Sequence, residues 1–143
     1  ARSNYNSANN IISMFGRFNS DSGNNYARHV LYGDGTTLAS GGTATTAAVG
    51  LSYLPASGYQ SGMFGGGVID ILDYANSNKY KTVKSVGGCD TNNTGSEKGI
   101  LAIWSGLWMS TSTISSIRIA CASDLSSGLT QYSTFALYGI KVS

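Results

Sequence analysis

The chain has 143 residues, of which 41% are hydrophobic and 11% charged, with a formal net charge of +2 at pH 7. Its length suits a single domain, and its charged share is less than half of the roughly 25% that is usual for soluble domains. The small net charge gives no reason to expect nucleic acid as a partner, and no apolar run of about 18 residues predicts a membrane span.

Turns are numerous and are built mostly from glycine, since the chain contains 19 glycines and a single proline, Pro55. This composition is typical of all-β proteins with many short strands. Aromatic residues make up 10% of the chain, which argues against disorder. We therefore expect a folded β domain whose polar surface comes from Ser, Thr, Asn and backbone groups.

The elements begin after an Asn-rich arm, residues 1–10, so that one domain is expected to span residues 11–143. Apolar residues at alternate positions predict strands over residues 11–18, 26–32 and 43–54. Residues 19–25 are rich in Asn, Ser and Gly and predict a loop. Residues 33–42 contain a turn sequence and are also expected to form a connection.

The clearest element is a hairpin between Gly65 and Gly88. Residues 68–74 and 79–86 are β-rich runs separated by a short polar turn, which is the usual sequence pattern of a hairpin. Opposite charges on the two runs should help to fix the register, because a slip of one residue would turn every side chain to the wrong face. We therefore predict that the two runs pair in antiparallel fashion.

The remaining strands follow a polar loop at residues 89–99. We expect residues 100–104 and 107–109 to be separated by a bulge at Ser105 and Gly106, and residues 117–121 to form a further strand. Residues 135–142 should form the last strand, in a central position because both of its faces are apolar. Eight or nine strands without a long helix predict an all-β fold, an antiparallel β-sandwich resembling a jelly roll.

Catalytic and metal-binding groups are scarce. The only close pair of carboxylates, Asp70 and Asp73, has an odd spacing that places the two groups on opposite faces of a strand, which argues against a glycosidase pair. His29 is the only histidine, and with Cys89 and Cys121 it cannot supply four zinc ligands. We predict no catalytic residue, cofactor or metal.

The two cysteines leave two alternatives open. They are 32 positions apart and could be free, buried or half-buried thiols, or they could form a disulfide. Free cysteine packs as a small hydrophobic residue, and we favour free thiols on that ground.

The loop at residues 90–95 is rich in oxygen ligands but lacks the terminal bidentate acid of calcium loops.

Trp104 and Trp108 are the most ambiguous residues of the chain. They could stack on sugar rings, provided that no bulge separates them and they share a strand face. An aromatic residue in an apolar run more often packs in the core. Both alternatives remain open from the sequence, and we favour the core.

Four segments carry a resemblance to a known group of proteins. They are NYARHVLYGDG at residues 25–35, IDILDYANSNK at 69–79, SGLW at 105–108 and QYSTFALYGIK at 131–141. Together they resemble virion structural proteins of marine and cyanobacterial tailed bacteriophages, in which a domain ends in a nearly identical FALYGI strand. The resemblance implies a β-sandwich module on the exterior of the particle, as a capsid decoration or a tail or fibre component, and it supplies no catalytic residue.

We therefore expect a non-enzymatic protein of the virion surface that binds copies of itself and other virion proteins. The alternative is a module that recognises glycans of the host surface, for which Trp104 and Trp108 would be the contacts. The resemblance implies a homo-oligomer, most simply a trimer. Because the chain has few charges, we expect an uncharged contact, and we place it at the following residues: Val49, Leu51, Tyr53, Tyr59, Met63 and Phe64.

Overall fold

A computed structural model describes residues 1–5, 10–92, 99–122 and 124–140. The described residues contain eight strands and no helix, so they contain no helix that could cross a membrane. The strands are β1 Ile11–Phe18, β2 Tyr26–Gly33, β3 Leu38–Thr46, β4 Val49–Pro55, β5 Gly66–Leu72, β6 Lys81–Asp90, β7 Gly99–Trp108 and β8 Ile117–Cys121.

The strands form two sheets. One has three strands in the order β4-β1-β8, and the other has five in the order β3-β2-β7-β6-β5. All neighbouring strands are antiparallel. Strand β4 packs across the interior against β6 and β7. The predicted all-β antiparallel sandwich is confirmed, with eight strands among the described residues.

The core lies between the two sheets. Its larger cluster of buried side chains joins both sheets and is made of Met14, Phe18, Tyr26, Val49, Leu51, Leu54, Val83, Trp108 and Cys121. Phe15, Ala48, Ala120 and Leu125 form a smaller second cluster. Burial of such side chains stabilises the fold by about 1.5–3 kcal/mol each.

The predicted hairpin is confirmed. Strands β5 and β6 are antiparallel, from Gly66 opposite Gly88 to Leu72 opposite Thr82, and in this register Asp70 lies directly opposite Lys84. Strand β6 continues beyond the predicted run as far as Asp90. The predictions for residues 93–98 lie outside the described residues.

The predicted single strand over residues 43–54 is wrong, and so is the predicted connection over residues 33–42. The structure has two strands here, β3 and β4, with a bend at residues 47–48 between them. Strand β3 is an edge strand that pairs only with β2. An edge strand that covers no core needs no apolar alternation, which explains why its small polar residues resemble a loop.

The predicted bulge at Ser105 and Gly106 is also wrong. Strand β7 pairs with β2 and with β6 without a shift in register across both positions. A Cβ at Gly106 would lie 2.9 Å from Cγ1 of Val49 on the opposite sheet, so glycine makes room for the packing of β4 against β7. The residue serves contact between sheets, and the strand continues through it.

The predicted central strand at residues 135–142 is wrong for the residues that the structure describes. Residues 135–140 belong to neither sheet and are exposed, and residues 141–143 lie outside the described residues. In the three-stranded sheet, β1 is already paired along both of its edges, with β4 and with β8. A central position beside β1 is therefore already filled.

Residues 1–5 lie against the sandwich. The guanidinium group of Arg2 donates to the carbonyl oxygens of Gln60 at 2.6 Å, Tyr59 at 2.5 Å and both Ser57 and Met63 at 3.2 Å. Arg2 is buried, and its charge is neutralised by no carboxylate in these contacts. It holds the connection between β4 and β5 through four carbonyl groups.

Candidate functional site

The outer face of the five-stranded sheet carries a row of exposed aliphatic side chains. Leu31 lies opposite Ile103, Ile103 opposite Val86, and Val86 opposite Val68, so the row crosses β2, β7, β6 and β5. The exposed fractions are 47%, 48%, 43% and 69% respectively. We call these four residues the apolar row.

The inward-facing residues of the same strands explain this exposure. Val83 on β6 and Trp104 on β7 occupy the opposite faces of their strands and are buried against the three-stranded sheet. Because successive residues of a strand alternate between faces, Val86 and Ile103 must point outward. Nothing in the described part of the chain covers them.

Along one side, the apolar row borders an open groove. The next register position places Gly33 and Gly88 on either side of Leu101, and Gly66 beyond Gly88. These glycines help line an open cavity of about 790 Å³. Leu101 therefore stands free between glycines, with 65% of its surface exposed, and extends the apolar surface.

Along its other side, the apolar row is bounded by polar residues. The next register position outward holds His29, Ser105, Lys84 and Asp70 on the same four strands. Lys84 and Asp70 lie directly opposite each other on neighbouring strands, and their side chains carry charges of opposite sign. The apolar row and Leu101 therefore form one patch with a polar border on one side.

A second exposed apolar surface lies in residues 134–140, which we call the C-terminal segment. Its exposed fractions are 53% for Phe135, 85% for Leu137, 84% for Tyr138 and 81% for Ile140. The last hydrogen bonds of this part of the chain involve Ser133. None of the segment's residues hydrogen-bonds to any other described residue.

A small cavity of about 200 Å³ lies where β1 faces β2 and β3. The guanidinium carbon of Arg28 lies 4.5 Å from the centroid of the Phe15 ring, and burial lowers the pKa of Arg28. Nη1 of Arg28 and Nε1 of Trp104 are both buried, and no acceptor from the described residues reaches them. The cavity is therefore lined by two buried donors without an acceptor, and its volume suffices for a few water molecules of about 30 Å³ each.

Trp104 and Trp108 share a face of β7 and are both in the core, with 4% and 2% of their surface exposed. The ring centroid of Trp104 lies 5.3 Å from that of Tyr53. The indole N–H of Trp108 donates to Oδ2 of Asp21 at 2.7 Å, and its ring stacks on Tyr26. Neither ring offers a face to a sugar in this structure.

The residues predicted for the oligomer contact are not brought together on one surface. Val49 and Leu51 are in the core, with 0% and 3% exposure, and cannot take part in a surface contact. Tyr53 is half-buried beside Trp104. The remaining three, Tyr59, Met63 and Phe64, lie in the β4–β5 connection held by Arg2, and their part in a contact stays a prediction.

No metal-binding cluster is found in the part of the chain that the structure describes. It contains no group of three or more His, Cys, Asp or Glu residues that could hold a metal ion. Asp73 forms an ion pair with Lys79 at 3.4 Å and lies beyond the end of β5. Both cysteines are free, as we favoured, and the candidate calcium loop lies partly outside the described residues.

The apolar row was missed by the sequence analysis because β7 is apolar on both faces. In residues 100–104 every position except Ala102 is large and apolar, so the sequence does not distinguish the inward face from the outward one. The alternation in β6 did separate Val83 from Val86 and was the one available indication.

Comparisons of the chain with protein-family models, curated proteins and solved structures found no match.

Proposed function

We propose that this chain is a non-enzymatic structural module of a phage particle, displayed on the particle exterior, and that it acts by assembling with copies of itself. The observation that carries the proposal is the exposed patch formed by the apolar row and Leu101. A contiguous exposed apolar patch of more than a few hundred Å² marks an interaction site in soluble proteins. Assembly would remove this patch from water.

The chemistry of the patch suits a contact between identical chains. Its core contains only aliphatic residues and glycine, and the charged pair Lys84 and Asp70 lies at its border. Protein interfaces are depleted of charge at their centre and polar at their rim. With 11% charged residues, two copies can approach each other with little repulsion.

The location on a virion rests on the resemblance of residues 25–35, 69–79, 105–108 and 131–141 to phage structural proteins. That resemblance is compatible with a capsid decoration and with a tail or fibre component, and it favours a homotrimer. The alternative of a glycan-binding module would need exposed aromatics in place of Trp104 and Trp108. Exposed aromatics include Tyr74 and Tyr80 at the hairpin tip, which are 49% and 53% exposed, and Tyr132 and Tyr138, which are 79% and 84% exposed.

The self-assembly is tested by light scattering at micromolar concentration on the wild-type chain and on Ile103→Lys, which places a charge in the centre of the apolar row. The matched control is Ile117→Lys, since Ile117 is 38% exposed on a strand of the other sheet. We expect an oligomer for the wild type and the control, and a monomer for Ile103→Lys. A wild-type species at the 14.9 kDa of one chain would refute self-assembly.

The location is tested separately by electron microscopy of purified particles with an antibody against this chain carrying gold. We expect label at regular positions on the head or the tail. Label that is absent from the outside of intact particles would refute the virion proposal without affecting the assembly measured in solution.

A further inference from the structure

The C-terminal segment, residues 134–140, points to a specific contact between copies. We propose that the segment of one copy adds as a strand to the free edge of β3 in a second copy. This inference rests on the self-assembly proposed above and names one of its contacts.

The segment itself is uncharged and largely apolar. Its residues Phe135 to Ile140 contain no charged side chain, and four of them expose large apolar side chains, as described above. Its backbone donors and acceptors bond to no other described residue. Apolar β-forming residues with unpaired backbone groups are stabilised by joining a sheet.

The two sheets present four edge strands to which the segment could add. Strand β4 is almost entirely buried and ends at Pro55. Strand β8 has five residues, includes Arg118, and is bridged at Cys121 to Ser127. Strand β5 carries Asp70. Charges, prolines and short length are the features by which natural edges avoid further pairing.

Strand β3 has none of these protections. It runs for nine residues, LASGGTATT, without a charge or a proline, and all of its residues are exposed or half-exposed. Its side chains from Ala39 to Thr46 are small, so an added strand could carry large side chains without clashing with β3. Its Ser40 also lies opposite Leu31, so an apolar side chain added beyond Ser40 would extend the apolar row.

The segment does not reach β3 of its own copy. The segment leaves the domain at Ser133, whose Oγ accepts from the Arg2 amide at 3.1 Å. The neighbouring Ala1 bonds to Gly65 in both directions, at 2.7 and 2.8 Å, and Gly65 immediately precedes β5. The segment therefore begins beside β5, at the opposite edge of the sheet from β3.

The distance between these edges decides the partner. Strands β5 and β3 are separated by four interstrand steps, or about 19 Å at roughly 4.8 Å a step. A seven-residue segment spans at most about 25 Å, so most of it would be used in crossing the sheet and could not lie along β3. A second copy removes this constraint.

The contact is also of adequate size. The four exposed side chains of the segment present on the order of 600 Å², and both sides together reach about 1,200 Å², the lower end of stable interfaces. Each copy donates one segment and accepts one, which is a head-to-tail contact. Such contacts generate closed rings when the rotation between copies closes, and the homotrimer favoured by the resemblance is one such ring.

The test uses the full chain with substitutions at the two partners of the contact. Leu137→Asp/Ile140→Asp disables the donated strand, and Ser40→Lys places a charge on the accepting edge. The control is Tyr74→Asp, at an exposed aromatic of the hairpin tip. We expect the control to keep the wild-type mass, and each of the other two to weaken association by about 100-fold or more and become monomeric.

A mixture of the two disabled variants gives the sharper result. Leu137→Asp/Ile140→Asp retains an intact β3, and Ser40→Lys retains an intact segment. Mixing them should therefore produce a 1:1 heterodimer, although neither variant associates alone. Circular dichroism confirms that each variant is folded, and Leu137→Ser/Ile140→Ser replaces the first if it is not.

Three results overturn the inference. If Leu137→Asp/Ile140→Asp keeps the wild-type mass, the segment is not the contact, while self-assembly through the apolar row still stands. If the mixture stays monomeric, the segment does not pair with β3. If the wild type is itself monomeric, both the inference and the proposed self-assembly fail.

Discussion

Replacing Gly50 with alanine probes how tightly the two sheets of the sandwich pack. Gly50 lies on β4 and faces the ring of Trp104 on β7. A Cβ at this position would overlap Cε3 and Cζ3 of that ring and lie 2.8 Å from Cδ2. The ring cannot easily move away, because its centroid is 6.4 Å from that of Phe15 and 5.3 Å from that of Tyr53.

The expected loss follows from this overlap. Adding a methyl group to a packed core destabilises by about 1–3 kcal/mol, and an overlap with rigid ring atoms belongs at the upper end, so we expect Gly50→Ala to lose about 3 kcal/mol. Trp104→Phe alone removes part of the ring and should lose about 2 kcal/mol, less than the 3–5 kcal/mol of truncation to alanine. The double variant should lose at least about 1 kcal/mol less than the sum of the two single losses, because the smaller ring leaves room for the methyl group.

Urea unfolding followed by far-ultraviolet circular dichroism measures these free energies without relying on tryptophan fluorescence. Gly41→Ala is the matched control, since the nearest atom to its new Cβ is Cγ1 of Val30 at an ordinary 3.9 Å. It should change the free energy of unfolding by less than about 1 kcal/mol. A loss below about 0.5 kcal/mol for Gly50→Ala, or strict additivity in the double variant, would show that β4 does not lie against Trp104 as described.

Three further predictions concern polar groups. Lys81 is buried, and its Nζ donates to the carbonyl oxygens of Asn76 at 2.6 Å, Lys79 at 2.7 Å and Thr111 at 3.2 Å. Lys81→Met should therefore lower the free energy of unfolding by about 2–4 kcal/mol in urea titrations. A loss below about 1 kcal/mol would contradict this role. The carboxylate of Asp34 accepts hydrogen bonds from the backbone amides of Thr37 and Thr36 and from the Thr36 hydroxyl, and these bonds lower its pKa from 3.8 to about 2. The contribution of ionised Asp34 to stability should therefore be complete above about pH 4 and be lost as the pH falls through 2. A pKa near 3.8 in an NMR titration, or an unchanged acid limb in Asp34→Asn, would contradict that prediction. Burial and, to a smaller extent, the charge of Asp90 raise the pKa of the Cys89 thiol to about 11, so iodoacetamide at pH 8 should label it roughly 100-fold more slowly than a free thiol, and equal rates would contradict this.

Strands were predicted correctly from the sequence where residues close together in the chain specify them. Strand β1 was predicted with its observed bounds, and the hairpin of β5 and β6 was predicted because its charges and turn residues lie within one short stretch. The observed register places Asp70 opposite Lys84, which agrees with the expectation that opposite charges on the two runs help to fix it. These features need no knowledge of the rest of the chain.

The features that were missed depend on distant parts of the chain. Gly106 indicated a bulge, but it accommodates Val49, which is far away in sequence. Strand β3 covers no core, so its residues carry no apolar alternation. The composition of residues 135–140 predicted a strand covered on both sides, and a single sequence cannot say whether the chain itself supplies that cover.

The position of β1 between β4 and β8 has a consequence for synthesis on the ribosome. Strand β8 begins at Ile117, almost a hundred residues after β1 ends at Phe18. At about 5–20 residues a second, one edge of β1 stays without its partner for roughly 5–20 s after β1 has been made. During this interval β1 offers unpaired backbone N–H and C=O groups, on a strand rich in apolar side chains, to neighbouring chains on the same messenger RNA. Chaperone binding to ribosome-bound chains should therefore be strongest between the emergence of β1 and that of β8.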